Sequence, residues 1–316
     1  MKVLFMGTPE FAVPCLEQLI KDKFHVVGVV TQPDKPKGRG HRLAAPPVKE
    51  CALKNDIPVF QPETLKNEAF KESLETLQPD IIVVVAYGKI LPKYILEYPE
   101  LGCINVHASL LPKYRGAGPI QWCIINGEKI TGVTTMYMNE GLDTGDMILK
   151  EEIAIGENET AGELHDRLAL LGARVLHETL ALIEKGMAPR IPQSDHEATY
   201  APMLDKSTGL INWNKKAQDI KNLVRGVTPW PAAYTYYQGK MMKIYSVDVM
   251  PGNGKALPGT IIEHIPDNGL IIQAGDGNRI VIRELQFEGG KKMTIDEYLR
   301  GHSIQFGEVL GKNDGA

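Results

Sequence analysis

The first two thirds of the chain alternate short, continuous apolar runs with stretches of helical spacing. Apolar runs at residues 3–6, 26–30, 81–86 and 103–106 have the length of strands, and residues 11–20 have the spacing of a helix. Strands that are apolar throughout are typical of parallel sheets covered by helices on both faces. The pattern therefore predicts an α/β domain with a Rossmann-like, mostly parallel sheet.

A long helix is predicted further on. Thr160-Ala161-Gly162-Glu163 has the spacing of a capping box, leucines follow at helical intervals, and Gly186 provides a stop. We expect this helix to be the last element of the first domain, which we end at residue 187.

The pattern changes after that point. Residues 188–207 show no regular periodicity and contain three prolines, which is typical of a linker. A helix is predicted at 217–227, and short strands are predicted at 233–237, 241–249, 260–264, 270–274 and 279–287. Strands of this kind, joined by glycine-containing turns, suit a small OB-like β-barrel, which we assign to residues 208–316.

Composition agrees with a folded protein of two domains. The chain has 316 residues, of which 23% are charged and 43% hydrophobic. No apolar run approaches 18 residues, so we expect no transmembrane helix. The four cysteines form no C-x-x-C pair, which favours buried free thiols in a reducing cytoplasm over a zinc site. We therefore expect no metal and a cytoplasmic protein.

Two polar residues at the end of the fourth apolar run are candidates for catalysis. Asn105 and His107 lie two positions apart, so on a strand their side chains share a face near its carboxyl edge. An amide can stabilise an oxyanion and an imidazole can move a proton, which suits chemistry at a carbonyl carbon. Asp143, in a downstream glycine-flanked loop, is expected to fix the histidine tautomer or to receive a proton.

A dinucleotide cofactor is not expected. The first strand is followed by GTPEF at residues 7–11 instead of G-x-G-x-x-G. Proline and glutamate stand where a pyrophosphate needs exposed backbone amides, so we exclude NAD and FAD.

The sequence NVHASLLPKYRGAGPIQW at residues 105–122, with GLDTGD at residues 141–146, resembles the folate-dependent formyltransferase family. The resemblance implies an enzyme that moves a formyl group from 10-formyltetrahydrofolate to an amine. The catalytic Asn, His and Asp of that family match Asn105, His107 and Asp143 without departure. Its folate-contacting S-L-L-P matches Ser109, Leu110, Leu111 and Pro112, and residues 87–92 resemble a second wall of the folate pocket.

The resemblance covers nearly the whole chain. It is strongest to the branch that carries a C-terminal OB-like barrel and formylates the α-amine of methionine on initiator tRNA. This implies a role in translation initiation, with methionyl initiator tRNA and the folate donor as the two substrates. Because an amine is already a nucleophile, we expect direct attack on the formyl carbon without a covalent enzyme intermediate.

Charge along the chain bears on the RNA acceptor. The net charge is -4 overall, but from Asp205 onward 14 Lys+Arg face 12 Asp+Glu, a net of +2, and -6 remains for residues 1–204. Inside that acidic first part, DKPKGRGHR at residues 34–42 forms a basic loop after the second strand. Composition alone favours a solvated loop, whereas the resemblance implies a loop that engages the tRNA acceptor stem. The residues that occupy that place are Lys35, Lys37, Arg39 and Arg42.

Two alternatives remain open on sequence grounds. One is a formyltransferase for an amino-sugar nucleotide or another small amine, since such enzymes can also carry a C-terminal barrel. The basic loop and the lack of an attached dehydrogenase domain count against it. The other is a folate- or RNA-binding module without catalysis, which the intact Asn, His and Asp disfavour.

Overall fold

The structure is a computed structural model that describes residues 1–37 and 42–311. Its helices and strands, in chain order, are β1 (Lys2–Gly7), α1 (Val13–Lys21), β2 (His25–Val30), β3 (Lys35–Lys37), β4 (Arg42–Ala44), α2 (Pro47–Lys54), β5 (Val59–Phe60), α3 (Lys71–Leu77), β6 (Ile81–Val85), α4 (Lys93–Leu96), β7 (Cys103–His107), α5 (Pro119–Ile125), β8 (Ile130–Tyr137), β9 (Met147–Ala154), α6 (Ala161–Glu184), α7 (Ala217–Gly226), β10 (Ala233–Tyr237), β11 (Lys240–Met250), β12 (Ile261–Ile265), β13 (Gly269–Gln273), β14 (Arg279–Phe287), β15 (Met293–Thr294) and α8 (Ile295–Leu299).

These elements form two compact units. The first contains Met1–Pro119, Ile130–Ala154 and His165–Pro202, and the second contains Ile120–Lys129, Ile155–Leu164 and the chain from Met203 onward. Residues 188–202, predicted to lie in a linker, therefore cluster with the first unit. The predicted boundaries at 187 and 208 stay a prediction.

The first unit is built on a seven-stranded sheet, counted over the described residues, with the order β5-β2-β1-β6-β7-β8-β9. The pairings from β5 to β7 are parallel. The central strand β6 is buried at every position, as its continuous apolar sequence predicts. The predicted Rossmann-like, mostly parallel sheet is confirmed.

Two further strands extend this sheet. β8 pairs antiparallel with β7, and β9 pairs antiparallel with β8. They were not predicted from the sequence, because β8 carries Thr131, Thr134 and Thr135 in place of a continuous apolar run. All three threonines are nevertheless buried. Buried hydroxyls of this kind need hydrogen-bond partners, and Thr135 finds one in Thr179 at 2.7 Å.

The second unit is all-antiparallel in its sheet. Its strands follow the order β10-β11-β14-β13-β12, and β15 pairs with β14. The observed strands β10 to β14 begin and end within one residue of the predicted ranges, which are 233–237, 241–249, 260–264, 270–274 and 279–287. Inward-facing residues such as Ile244, Ile272 and Ile282 are fully buried and form its core with α7. The predicted small antiparallel β unit is confirmed.

The four cysteines are free thiols and all are buried, as predicted. Burial raises the pKa of Cys15 and of Cys103 to about 12. Across residues 1–37 and 42–311, no helix combines the length and the apolar character that crossing a membrane requires.

Candidate active site

The candidate site lies at the carboxyl end of β7. Asn105 pairs with Val84 of β6 on one side and Met136 of β8 on the other, and His107 pairs with Thr134 of β8. The two residues are separated by one position on the strand, so their side chains share a face. Asn105 is half-buried and His107 is 6% exposed. In the described residues, the Asn105 side chain makes no hydrogen bond to the protein, which leaves its amide available to a ligand.

The imidazole of His107 is held by the backbone. Its Nε2 lies 2.9 Å from the carbonyl oxygen of Tyr114. A carbonyl oxygen only accepts hydrogen bonds, so Nε2 carries a proton and Nδ1 is the nitrogen that can gain or lose one. Nδ1 lies 3.8 Å from Asp143 Oδ2, too far for a direct hydrogen bond. Tyr114, and not Asp143 as expected, therefore fixes the tautomer.

Asp143 is held in place by Gly116, two residues after Tyr114. Gly116 N–H donates to Asp143 Oδ2 at 2.8 Å. Gly116 has a φ of +114°, and a Cβ atom there would lie 2.8 Å from the carbonyl oxygen of Ala201, so only glycine suits the position. Residues Tyr114 to Gly116, hereafter the 114–116 turn, thus bind both His107 and Asp143. The structure brings together the imidazole and the carboxylate that the sequence analysis selected.

The predicted folate-contacting residues form a tight turn beneath the site. Ser109 is fully buried, and its Oγ donates to the carbonyl oxygen of Lys113 at 2.7 Å. Thr134 Oγ1 donates to Ser109 O at 2.7 Å and accepts from Leu111 N–H at 3.1 Å. Leu111 is 1% exposed, whereas Leu110 and Pro112 are half-buried. The Ser109 hydroxyl is thus used to shape the turn, while Leu110 and Pro112 keep surface that a ligand can contact.

A cavity of about 450 Å³ opens beside the Asp143 loop. Its wall combines the short helix α4 with the loop after β8, through residues Lys93, Leu96, Glu97, Met138, Asn139, Glu140 and Gly141. Asn139 Oδ1 accepts from Gly141 N–H at 3.0 Å and from Thr144 Oγ1 at 2.8 Å, which stiffens the loop. The sequence analysis did not select these wall residues. In the predicted second wall, Leu91 is buried in the core and Ile90 is 85% exposed.

The basic loop belongs to a hairpin in which β3 and β4 pair antiparallel, with Lys37 opposite Arg42 in the backbone ladder. Lys35 is exposed and donates to Gln32 Oε1 at 2.9 Å. Arg39 lies outside the described residues. At the base of the hairpin, Lys49 Nζ lies 2.9 Å from Asp34 Oδ1, and the hydrogen bonds to Lys49 and a neighbouring glutamine lower the pKa of the Asp34 carboxyl.

Comparison with known proteins identifies the family. The formyl transferase family model matches residues 1–180, and the model of the formyl transferase C-terminal domain matches residues 203–303. A methionyl-tRNA formyltransferase of Acetivibrio thermocellus is 56% identical over 313 residues, which cover 99% of this chain and 100% of that protein. The chain belongs to the methionyl-tRNA formyltransferase family. A second methionyl-tRNA formyltransferase, from Alkaliphilus oremlandii, is 57% identical to it over 312 residues, 99% of this chain and 100% of that protein.

The family prediction made from the sequence is confirmed, and with it the prediction of an enzyme. A solved N-formyltransferase from Helicobacter canadensis, in complex with folinic acid and dTDP-3-aminofucose, superposes on this formyltransferase with a TM-score of 0.67. The match covers 89% of this chain and 98% of that one at 22% identity. This likeness confirms the formyltransferase fold of the chain.

Proposed function

We propose that this formyltransferase moves the formyl group of 10-formyltetrahydrofolate to the α-amine of methionine on initiator tRNA, a cytoplasmic step of translation initiation. The relatives that match the full chain carry the corresponding name. The structural observation that supports the proposal is the grouping of three side chains at one edge of the sheet. At the carboxyl edge of the sheet, the His107 imidazole and the Asp143 carboxylate lie 3.8 Å apart, and the strand of His107 also carries Asn105, whose amide has no hydrogen bond among the described residues.

For the donor, we propose the cavity beside the Asp143 loop as the binding site. Small-molecule sites are concave, with apolar walls and a few polar groups that orient the ligand. Here Leu96 and Met138 supply the apolar part of the wall, and Lys93, Glu97, Asn139 and Glu140 supply its polar and charged part. We propose that the pterin ring of the folate occupies this cavity, and that Leu110 and Pro112 contact the donor while the buried Ser109 and Leu111 shape the turn below it.

The reaction we propose is a direct transfer between two nitrogens. The neutral methionyl amine attacks the formyl carbon, the carbonyl electron pair moves to oxygen, and the Asn105 amide donates a hydrogen bond to that oxyanion. Collapse breaks the bond between the formyl carbon and the folate nitrogen, which takes up a proton. Because no redox change occurs, the reaction needs no nicotinamide, and in this scheme the Asn105 amide takes the role that a Lewis-acidic metal ion would have at the oxyanion.

His107 and Asp143 handle the proton in this scheme. Since the Tyr114 carbonyl holds the Nε2 hydrogen, the proton lost by the attacking nitrogen goes to His107 Nδ1 and from there to the leaving folate nitrogen. The imidazolium that forms in between faces Asp143 Oδ2, whose charge stabilises it. Asp143 thus acts as an electrostatic partner of the histidine.

For the RNA acceptor, we propose that the β3–β4 hairpin contacts phosphates of the acceptor stem through Lys35, Lys37, Arg39 and Arg42. Phosphate contacts by lysine and arginine fix orientation without reading base sequence. The ion pair between Asp34 and Lys49 connects the base of the hairpin to helix α2. The acidic balance of residues 1–204 makes this loop a local basic exception in the first part of the chain.

A transfer assay tests the proposal. The enzyme is incubated with 10-formyltetrahydrofolate and methionyl initiator tRNA, or with a dTDP-linked amino sugar, and the formylated product is quantified. We expect formylation of the tRNA alone. Formylation of the sugar alone would show the small-amine alternative, and binding of both substrates without any transfer would show a non-catalytic module.

The chain offers a matched control for the histidine. His177 also pairs with an aspartate, since its Nδ1 lies 2.7 Å from Asp22 Oδ2, but it lies half-exposed on the surface. His107→Gln should lose most of the transfer activity, whereas His177→Gln should keep it. Equal activity of the two variants would remove His107 from the reaction.

A further inference from the structure

The polar segment after α6 folds back onto the 114–116 turn within the first unit. Arg115 N–H donates to Thr199 O at 2.8 Å, and Ala201 N–H donates to Arg115 O at 2.7 Å. Tyr114 N–H also donates to Thr199 Oγ1 at 2.9 Å. Part of the stretch predicted to be a linker is therefore hydrogen-bonded to the 114–116 turn, which binds His107 and Asp143.

The guanidinium of Arg115 is buried in this interface, with 2% of the residue exposed. Its Nη1 pairs with Asp195 Oδ1 at 2.9 Å, and Nε and Nη2 both donate to Gln193 Oε1, at 3.1 and 3.0 Å. A buried charge is costly unless its donors are satisfied, and Asp195 and Gln193 provide acceptors for those of Arg115. Because Arg115 occupies the oxygen of the Gln193 amide, the amide nitrogen must point the other way.

That nitrogen binds the candidate catalytic loop. Gln193 Nε2 donates to the backbone carbonyl oxygens of Asp143 and Gly145, each at 2.8 Å, so both of its hydrogens are used. Asp143 has a φ of +54°, in the left-handed region that residues other than glycine seldom adopt. Its backbone is thus held by Gln193 while its carboxylate is held by Gly116.

We propose that Gln193, oriented by the buried Arg115, is a positioning residue that keeps Asp143 in the conformation required for formyl transfer. The inference rests on the catalytic role proposed above for Asp143. Gln193 acts through the backbone of the loop, so it affects the orientation of the carboxylate without touching either substrate.

The sharpest single perturbation is Gln193→Glu. The substituted side chain keeps an oxygen for Arg115 but replaces the amide nitrogen by an oxygen that faces two carbonyl oxygens. The loop must then shift. We expect kcat to fall by about 10- to 100-fold, the effect of a small misplacement of a reacting group, with the KM for each substrate changed by less than about threefold. Glu197→Gln, an exposed change in the same segment, is the matched control and should leave kcat unchanged.

A double-mutant cycle separates this inference from the proposed function. If Gln193 acts through Asp143, then Gln193→Glu should lower single-turnover rates by less than about threefold in an Asp143→Asn background. An equal loss in both backgrounds would overturn the positioning role while leaving the role of Asp143 intact. Full activity of Asp143→Asn alone would instead overturn the assignment of Asp143, and the inference with it.

Folding is checked by thermal denaturation. If Gln193→Glu does not fold, Gln193→Met removes both donors, and with them the oxygen that accepts from Arg115, without adding a charge, and the same cycle applies to it. A folded Gln193→Met variant with the kcat of the parent enzyme would refute the positioning role. A lower kcat with unchanged folate affinity would support it.

Discussion

Replacement of Asn105 by Ala tests the electrostatic core of the proposed reaction. In the described residues, the Asn105 amide makes no hydrogen bond to the protein, so its removal leaves no protein group unpaired. The side chain is only half-buried, and we expect the free energy of unfolding to change by about 1 kcal/mol or less. Loss of an oxyanion donor lowers kcat by about 10²–10³, which corresponds to about 2.7–4 kcal/mol of transition-state stabilisation. The rate should therefore change far more than the stability.

The measurement is single-turnover formylation of methionyl initiator tRNA, with folate affinity determined separately by titration. Asn105→Asp has the same shape but places a negative charge where the oxyanion forms, and it should be at least as slow as the Ala variant. A variant with near-normal turnover, or one in which only the folate affinity falls, would refute the oxyanion role.

Three further predictions concern the β3–β4 hairpin, the turn at residues 109–113 and the 114–116 turn. Replacing Lys37 and Arg42 together by Ala should weaken tRNA binding and reduce the slope of log K against log salt by about 1.8 if both contact duplex phosphates, with folate binding unchanged; filter binding across a salt series measures this. Thr134→Val leaves two backbone groups of the folate turn without their partner, so urea denaturation should show a loss of about 1–3 kcal/mol, and the KM for the donor should rise. Gly116→Ala forces a left-handed backbone on a residue with a side chain and should cost about 1–3 kcal/mol in thermal denaturation; a stability equal to that of the parent would contradict this.

The strands of both units were predictable where local pattern and burial agree. The central strand β6 is apolar and buried throughout, and β10 alternates between buried and half-buried residues before the turn at Gln238-Gly239. The strand β8 was not found because its buried threonines resemble surface residues in a linear pattern. The hydroxyls of Thr134 and Thr135 bond to Ser109 and Thr179, which are distant in the chain, and such pairing is visible only in three dimensions.

The candidate site also contains residues that the sequence predicts and residues that it does not. Asn105 and His107 could be predicted because a strand places alternate residues on one face, and Asp143 could be predicted from the family resemblance. Gln193 could not, because it lies in a polar, proline-containing stretch and its partner Arg115 precedes it by 78 residues. An arginine that follows a turn with a single proline also carries no local sign that its charge is buried.

The separate pairing of the β3–β4 hairpin bears on how the choice of acceptor can differ between relatives. Within the described residues it forms a two-stranded sheet of its own, separate from the ladder that carries Asn105 and His107. Its length and sequence can therefore vary without breaking a backbone bond of that ladder. On the role proposed for this hairpin, a hairpin transplanted from a relative with a different acceptor would exchange the acceptor contacts and leave the strand with Asn105 and His107 in place, which makes it a target for redesigning the enzyme.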